Sequence, residues 1–188
     1  MVGLVVKSTG SWYYVKDADG GLWSCKIKGT FRIKGIKTTN PLAVGDRVDF
    51  NPIEEGEREG LITRLHERKN YIIRKATKLS RESHIIASNI DQAIIMATLA
   101  YPETYTLFID RFLVTAEAYR IPAKIIFNKI DLYDEQLTEK LNNLIQVYND
   151  AGYECFKTSI TKEENLESIK NLLKDKYSVI TGNSGVGK

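Results

Sequence analysis

The sequence predicts an all-β barrel followed by an α/β domain with a mostly parallel, doubly wound sheet, and three observations carry that prediction. Up to about residue 70, short apolar runs are separated by Gly-rich turns, with no helical period. From about residue 91, strand-like and helix-like runs alternate. Between these regions the charge balance changes. Residues 1–70 hold 12 Lys and Arg against 9 Asp and Glu, whereas residues 71–188 hold 15 of each, so the net charge of +3 sits entirely in the first part. The expected organisation is a barrel domain over 1–70, a basic linker over 71–90 and a second domain over 91–188.

Composition narrows the possibilities. With 43% apolar and 27% charged residues, the chain can bury an ordinary globular core. No run approaches the roughly 18 apolar residues of a membrane span. The start, Met1 to Lys7, lacks the basic flank of a signal peptide. A cytoplasmic protein without membrane contact is expected. Cys25 and Cys155 are solitary, which argues against a disulfide framework or a zinc knuckle. His66 and His84 have no carboxylate or cysteine cluster at ligand spacing, so no metal site is expected in this stretch.

Five strands are expected in the first domain: Leu4–Ser8, Trp12–Val15, Leu22–Ile27, Arg47–Phe50 and Leu61–Leu65. Five short strands with glycine turns fit the OB-fold, a small barrel that characteristically binds oligonucleotides. Between the third and fourth strands lie Lys26, Lys28, Arg32, Lys34 and Lys37, with no acidic residue and with Phe31 interleaved. Uncompensated cations repel one another unless they meet phosphates, so these five are candidate RNA-binding residues. The nearby aromatics Trp12, Tyr13, Tyr14 and Trp23 are read as barrel core, because small barrels fill themselves with side chains.

A second basic concentration follows: Arg64, Arg68, Lys69, Arg74, Lys75, Lys78 and Arg81, opposed by Glu67 and Glu82. Its only strand-like feature is Tyr71-Ile72-Ile73. Both a solvated tether and a second contact to phosphates fit it.

In the second domain, Gln92–Leu99 is the apolar run of a strand buried on both faces. Thr104–Tyr119 carries Leu107, Phe108, Phe112, Leu113 and Ala116 at helical spacing. Ala123–Phe127 is the next strand. Asp134 can cap a helix with Leu137, Leu141, Leu144, Ile145 and Tyr148 in phase, and Gly152 can end it. Tyr153–Lys157 is a third strand and Glu163–Asp175 a third helix, leading into the strand Tyr177–Thr181. In such a sheet, ligands bind at the carboxyl ends of the strands.

Three polar segments fall at those ends. Gly182, Asn183, Ser184, Gly185, Val186, Gly187 and Lys188 spell the phosphate-binding pattern G-x-x-x-x-G-K. Glycines let successive N–H groups curl around phosphate oxygens, and Lys188 adds a point charge. The pattern stops before its Ser or Thr, the Mg²⁺ ligand, so the sequence is expected to be the N-terminal part of a longer protein. Asn128, Lys129, Ile130 and Asp131 form Asn-Lys-x-Asp after the second strand. The Asp131 carboxylate can accept both N–H groups on the Watson–Crick edge of guanine, a contact that adenine opposes, so an ATPase is disfavoured. Asn128 can hold the loop and the Lys129 stem can cover the base. Thr158, Ser159 and Ile160 close the third strand, where a backbone N–H near Ser159 can reach guanine O6. These segments are the candidate nucleotide-binding residues; no catalytic or metal-ligating residue is expected within the 188.

Taken together, these residues resemble the N-terminal part of the ribosome small subunit-dependent GTPases, a bacterial family of circularly permuted GTPases. In ordinary GTPases the phosphate loop comes first; here Asn128–Asp131 precedes Gly182–Lys188, behind a barrel, and the likeness covers the whole chain. The resemblance implies GTP hydrolysis with Mg²⁺, stimulated by the 30S subunit, in late assembly of that subunit. It also implies GTP or GDP, the 30S subunit and its 16S rRNA as partners, a monomer, and Zn²⁺ only in a C-terminal domain not included here. The other class of reading is an RNA-binding module attached to a domain whose nucleotide turnover is not its main role.

Overall fold

The computed structural model describes residues 1–28, 41–53, 58–74 and 84–188. The chain separates into two compact units, Met1–Ile90 and Asp91–Lys188.

The first unit contains β1 (Val2–Thr9), β2 (Trp12–Asp17), β3 (Leu22–Ile27), β4 (Arg47–Pro52) and β5 (Glu59–Leu65). They close into a barrel in the order β1-β2-β3-β5-β4. Only β3 and β5 run parallel; the remaining neighbours are antiparallel. This is the expected OB-type barrel. Alternation along the strands sends Val5, Tyr13, Val15, Cys25, Val48, Phe50 and Ile62 inward, where each is buried. Burial pushes the Cys25 thiol up to about 11, so the group behaves as a small apolar filler. The aromatics divide between the faces. Tyr13 is core and Trp23 packs tilted on Phe50 with ring centroids 5.4 Å apart, but Trp12 and Tyr14 lie on the outer face, contrary to the sequence expectation.

The stretch expected to be a linker carries β6 (Tyr71–Arg74) and β7 (His84–Ser88), an antiparallel pair. It is fastened to the barrel unit by the Asp46 carboxylate, which is 0% exposed. Arg68 meets it through Nε and Nη2 at 2.7 and 2.6 Å, and Ser88 Oγ and the Ala43 N–H donate at 2.5 and 2.8 Å. Gly45 allows this closeness: its φ is +93°, and a Cβ there would stand 2.0 Å from the Ser88 carbonyl oxygen. Asn70 brackets Ile90, accepting from its N–H at 2.7 Å and donating to its carbonyl at 2.8 Å.

The second unit is a parallel four-stranded sheet in the order β10-β9-β8-β11, from β8 (Gln92–Ala97), β9 (Ala123–Phe127), β10 (Glu154–Lys157) and β11 (Ser178–Thr181). Its helices are α1 (Thr106–Ala118), α2 (Glu135–Asp150) and α3 (Leu166–Leu173). Ile95, Ala97, Ile125 and Phe127 pack with Ile109 and Leu113 of α1 and Leu141 and Tyr148 of α2. On the opposite side of the sheet, Ile94, Met96 and Ile126 pack with Leu172 of α3 and with Val186. The sheet is doubly wound, as expected, and β8 is buried along its whole length. Asp134 caps α2, its carboxylate accepting from the Leu137 N–H at 2.8 Å. No helix of the described residues is long and apolar enough to cross a membrane.

Candidate nucleotide-binding site

Parallel strands deliver their carboxyl ends to one edge of the sheet, so three loops distant in sequence meet there. β9 ends in Asn128–Asp131, β10 in Thr158–Ile160 and β11 in Gly182–Lys188.

Asn128 joins two of these loops. Its side chain is 1% exposed, and Nδ2 donates to the Val186 carbonyl at 2.8 Å, across 58 residues of sequence. The phosphate loop has to lie against it. Gly187, with φ +93°, offers no Cβ; one placed there would sit 2.4 Å from Asn128 Nδ2. Val186 is fully buried and pins the loop to the sheet. Lys188 Nζ donates to the Gly182 and Asn183 carbonyls at 3.0 and 2.9 Å, drawing the loop into a ring. Asn128 Oδ1 is buried with no partner among the described residues, an acceptor that a bound ligand or water would satisfy.

Asp131 is oriented by Ser159, whose Oγ donates to Oδ1 at 2.5 Å. The same Oγ accepts from the Lys162 N–H at 3.1 Å. An ionised carboxylate offers about four lone-pair directions, and one bond leaves the others available, so this hydroxyl fixes the carboxylate without saturating it. The Ser159 N–H itself donates to the Glu164 carbonyl at 3.3 Å, and the Thr158 hydroxyl donates to the same carbonyl at 2.9 Å. These bonds hold the third loop in a fixed turn, with exposed Ile160 following.

Lys129 adopts a left-handed conformation, φ 61° and ψ 34°, which redirects the chain between Asn128 and Asp131. Its Nζ donates to the Tyr101 carbonyl at 2.6 Å. Tyr101 belongs to a turn after β8 that no sequence motif marks. Thr98 closes this turn: its N–H donates to Thr104 Oγ1 at 3.2 Å, its carbonyl accepts from the Thr104 N–H at 2.8 Å, and its hydroxyl donates to the Pro102 carbonyl. Pro102 also flanks the phosphate loop, because a Cβ on Gly185 would meet its ring at 3.5 Å. Tyr133 is a second unforeseen participant. Its hydroxyl accepts from the Leu99 N–H at 2.7 Å and donates to the Asn128 carbonyl at 3.0 Å, tying β8 to the Asn-Lys-x-Asp loop. Burial holds this phenol above its ordinary pKa, so it remains a donor at neutral pH. Neither residue falls in a recognised pattern; a Thr-x₅-Thr spacing at a strand end was the only local signal.

Comparison with known proteins agrees with this geometry. The family model described as RsgA GTPase matches residues 65–188, and the RsgA N-terminal domain model matches residues 2–62. The chain belongs to the RsgA GTPase family. Within that family it is 53% identical over 188 residues to the small ribosomal subunit biogenesis GTPase RsgA of Bacteroides fragilis, covering 100% of this chain and 60% of the relative. Identity to the protein of the same name from Flavobacterium johnsoniae is 51% over 189 residues, covering 100% and 58%. The chain thus spans about 60% of the length of these RsgA relatives. Among solved structures, YjeQ from Thermotoga maritima superposes with a TM-score of 0.81 at 37% identity, covering 100% of this chain and 62% of that one. YloQ, a circularly permuted GTPase, gives 0.77 at 33% identity, covering 99% and 61%.

Of the RNA-binding candidates, Lys26 and Lys28 are exposed on and after β3, while Arg32, Lys34 and Lys37 lie outside the described residues. Among the described residues there is no group of three His, Cys, Asp or Glu that could hold a metal ion.

Proposed function

We propose that the full-length protein binds and hydrolyses GTP as a cytoplasmic factor in assembly of the small ribosomal subunit, with its barrel on 16S rRNA. The observation that supports this best is the Asn128–Val186 bond, because it couples a guanine-selective loop to a phosphate loop at one sheet edge. In this reading Asp131 accepts the two N–H groups of the guanine edge, the stem of Lys129 lies over the base, and an amide of the Ser159–Ile160 turn meets O6. The N–H groups of Gly182–Lys188 take the phosphates, and the Lys188 ammonium moves from its two carbonyls to the β- and γ-phosphates.

The phosphate loop fits a nucleotide, and Mg²⁺ would come with it, held largely by phosphate oxygens and water, to neutralise charge developing in phosphoryl transfer. The chain's own part in that reaction is to position and select the nucleotide. Zn²⁺, implied by resemblance alone, is placed in a part of the protein outside these 188 residues. The names of the relatives carry the ribosomal part of the proposal.

GTP hydrolysis by the full-length protein, measured with and without isolated small subunits, tests the reading. Turnover is expected to rise when subunits are added and to fail with ATP. Equal turnover of ATP and GTP would remove the guanine assignment, and turnover indifferent to subunits would leave an RNA-binding module carrying an unrelated nucleotide site.

A further inference from the structure

Strands β8 and β9 separate at their carboxyl ends in a way that the nucleotide motifs do not explain. Their parallel ladder keeps one phase, with bonds from the Ala93 N–H to the Pro122 carbonyl at 2.8 Å and from the Asn128 N–H to the Ala97 carbonyl at 2.9 Å. Continued by one step, this phase calls for a bond from the Leu99 N–H to the Asn128 carbonyl. The Tyr133 hydroxyl stands between those two groups instead, accepting from the first at 2.7 Å and donating to the second at 3.0 Å. A side chain has taken the place of a ladder bond. It reaches that place because a single 3₁₀ turn, Ile130–Leu132, folds the chain back after Asp131, with the Tyr133 N–H donating to the Ile130 carbonyl at 3.2 Å. The ring then packs against the core shared by β8, β9, α1 and α2.

The inserted hydroxyl spreads the two strand ends where each turns into a loop of the site. Beyond Leu99 lies Tyr101, whose carbonyl receives Lys129 Nζ at 2.6 Å. Beyond β9 lies Asn128, already bonded to the Val186 carbonyl at 2.8 Å, and then Asp131. Without the hydroxyl, Leu99 N–H and Asn128 C=O either stay apart and unpaired, which is costly for buried groups, or meet directly and draw Asn128 towards β8. Both outcomes loosen or shift the loop that carries Asp131. We propose that Tyr133 is a positioning residue for base recognition, a wedge whose hydroxyl replaces the last bond of the β8–β9 ladder and thereby sets where Asp131 is presented. It acts through the backbone of Asn128 and lies outside both the Asn-Lys-x-Asp pattern and the phosphate loop. The inference rests on the guanine reading of Asn128–Asp131 and adds a residue on which that selectivity depends.

The test is calorimetric titration of the full-length protein with guanosine diphosphate and with inosine diphosphate, which lacks the 2-amino group that Asp131 would bind. The wild type is expected to bind the guanine nucleotide at least about 10-fold more tightly. Tyr133→Phe keeps the ring and removes the hydroxyl. It should weaken guanosine diphosphate by about 5- to 30-fold and lower the preference over inosine diphosphate by about 3-fold or more. Loss of stability alone would not move that ratio, because a smaller competent fraction weakens both nucleotides alike. Tyr148→Phe is the control: its hydroxyl donates to Asp110 at 2.9 Å, and its loss should lower the melting temperature and leave the ratio unchanged. Replacing Tyr133 by 4-aminophenylalanine restores a donor to the Asn128 carbonyl and should recover most of the preference. If Tyr133→Phe does not fold, this replacement decides the question, and a folded protein that has lost the preference overturns the wedge. A Tyr133→Phe protein with wild-type affinity and preference, an equal loss for the two nucleotides, or a ratio moved as far by Tyr148→Phe would overturn it while the guanine reading stands. A wild type that binds both nucleotides equally removes the guanine reading itself, and the wedge with it.

Discussion

At the scale of single residues, the site depends on side chains that hold one another before any nucleotide arrives. Ser159 fixes Asp131, Tyr101 fixes Lys129, and Val186 fixes Asn128, each through a hydrogen bond of 2.5 to 2.8 Å. Preorganisation of this kind lowers the ordering cost of binding. In the proposed reading Asp131 carries the discrimination, because only an acceptor pair matches the guanine edge. Asp131→Asn replaces one acceptor with a donor, so GTP and GDP binding by the full-length protein should weaken by on the order of 2 kcal/mol. The same change suits the extra carbonyl of xanthine, and xanthosine diphosphate should bind the variant better than it binds the wild type. Calorimetric titration with GDP and xanthosine diphosphate checks both halves; unchanged preference would show that Asp131 does not face the base.

At the scale of elements, legibility in the sequence followed how local each cause was. β8 was readable because its run of apolar residues is buried on both faces, and α2 because period and Asp134 cap agree. The expected third helix, Glu163–Asp175, is longer than α3: Asn165, with φ 58°, turns the chain in front of Leu166, a position that suits Asn both as a left-handed residue and at a helix start. β6 and β7 were legible only as Tyr71–Ile73, since what makes them strands is distant, notably the Val44–Ala87 bridge and the Asp46 cluster. The three candidate nucleotide loops are marked by motif or by their place at a strand end, but Tyr101 and Tyr133 act through a backbone carbonyl and a hydroxyl that no motif encodes. Trp12 and Tyr14 were misassigned because aromatic residues occupy both faces of β2, and composition does not tell which face a strand turns inward. The turn between β2 and β3 yields a test at this scale. Asp17 accepts from Trp23 Nε1 at 2.7 Å and from the N–H groups of Gly21 and Asp19 at 2.6 and 3.0 Å. The bond from Trp23, chiefly, holds its carboxyl below the ordinary value, with the two amides and Arg58 adding to the effect. A depressed folded-state pKa means that the stabilisation is complete above the unfolded value, about 3.9, and is lost as pH falls through the lower folded value. Asp17→Asn should therefore unfold more readily at neutral pH and lose part of the acid dependence below about pH 4. A remainder should persist from Asp49, whose carboxyl is lowered chiefly by its bond to His66. Urea midpoints measured from about pH 2 to pH 6 test this, and parallel profiles for the two proteins would refute the assignment.

At the scale of the whole molecule, the boundary seen by sequence families and the one set by packing differ. The two family models meet between residues 62 and 65, whereas the first compact unit continues to Ile90. The discrepancy has a physical cause in Asp46. This carboxylate is 0% exposed beside β4, and its cationic partner Arg68 and hydroxyl partner Ser88 both come from beyond the first model's end. A chain cut at Ile62 would also lose the last three residues of β5, which runs to Leu65. Leaving a buried charge without its partner costs about 3–5 kcal/mol, a large share of the roughly 5–15 kcal/mol that stabilises a whole domain. We predict that a fragment of residues 1–90 folds cooperatively by itself and that a fragment of residues 1–62 does not. Within the longer fragment, Arg68→Ala should cost about 3–5 kcal/mol, whereas Lys69→Ala, next to it but exposed, should change stability by less than about 1 kcal/mol. Amide dispersion by NMR and urea denaturation of the two fragments decide the matter. A 1–62 fragment that unfolds at the same midpoint as 1–90 would place the true edge of the barrel where the family models put it, and would reduce the Asp46 cluster to a surface attachment.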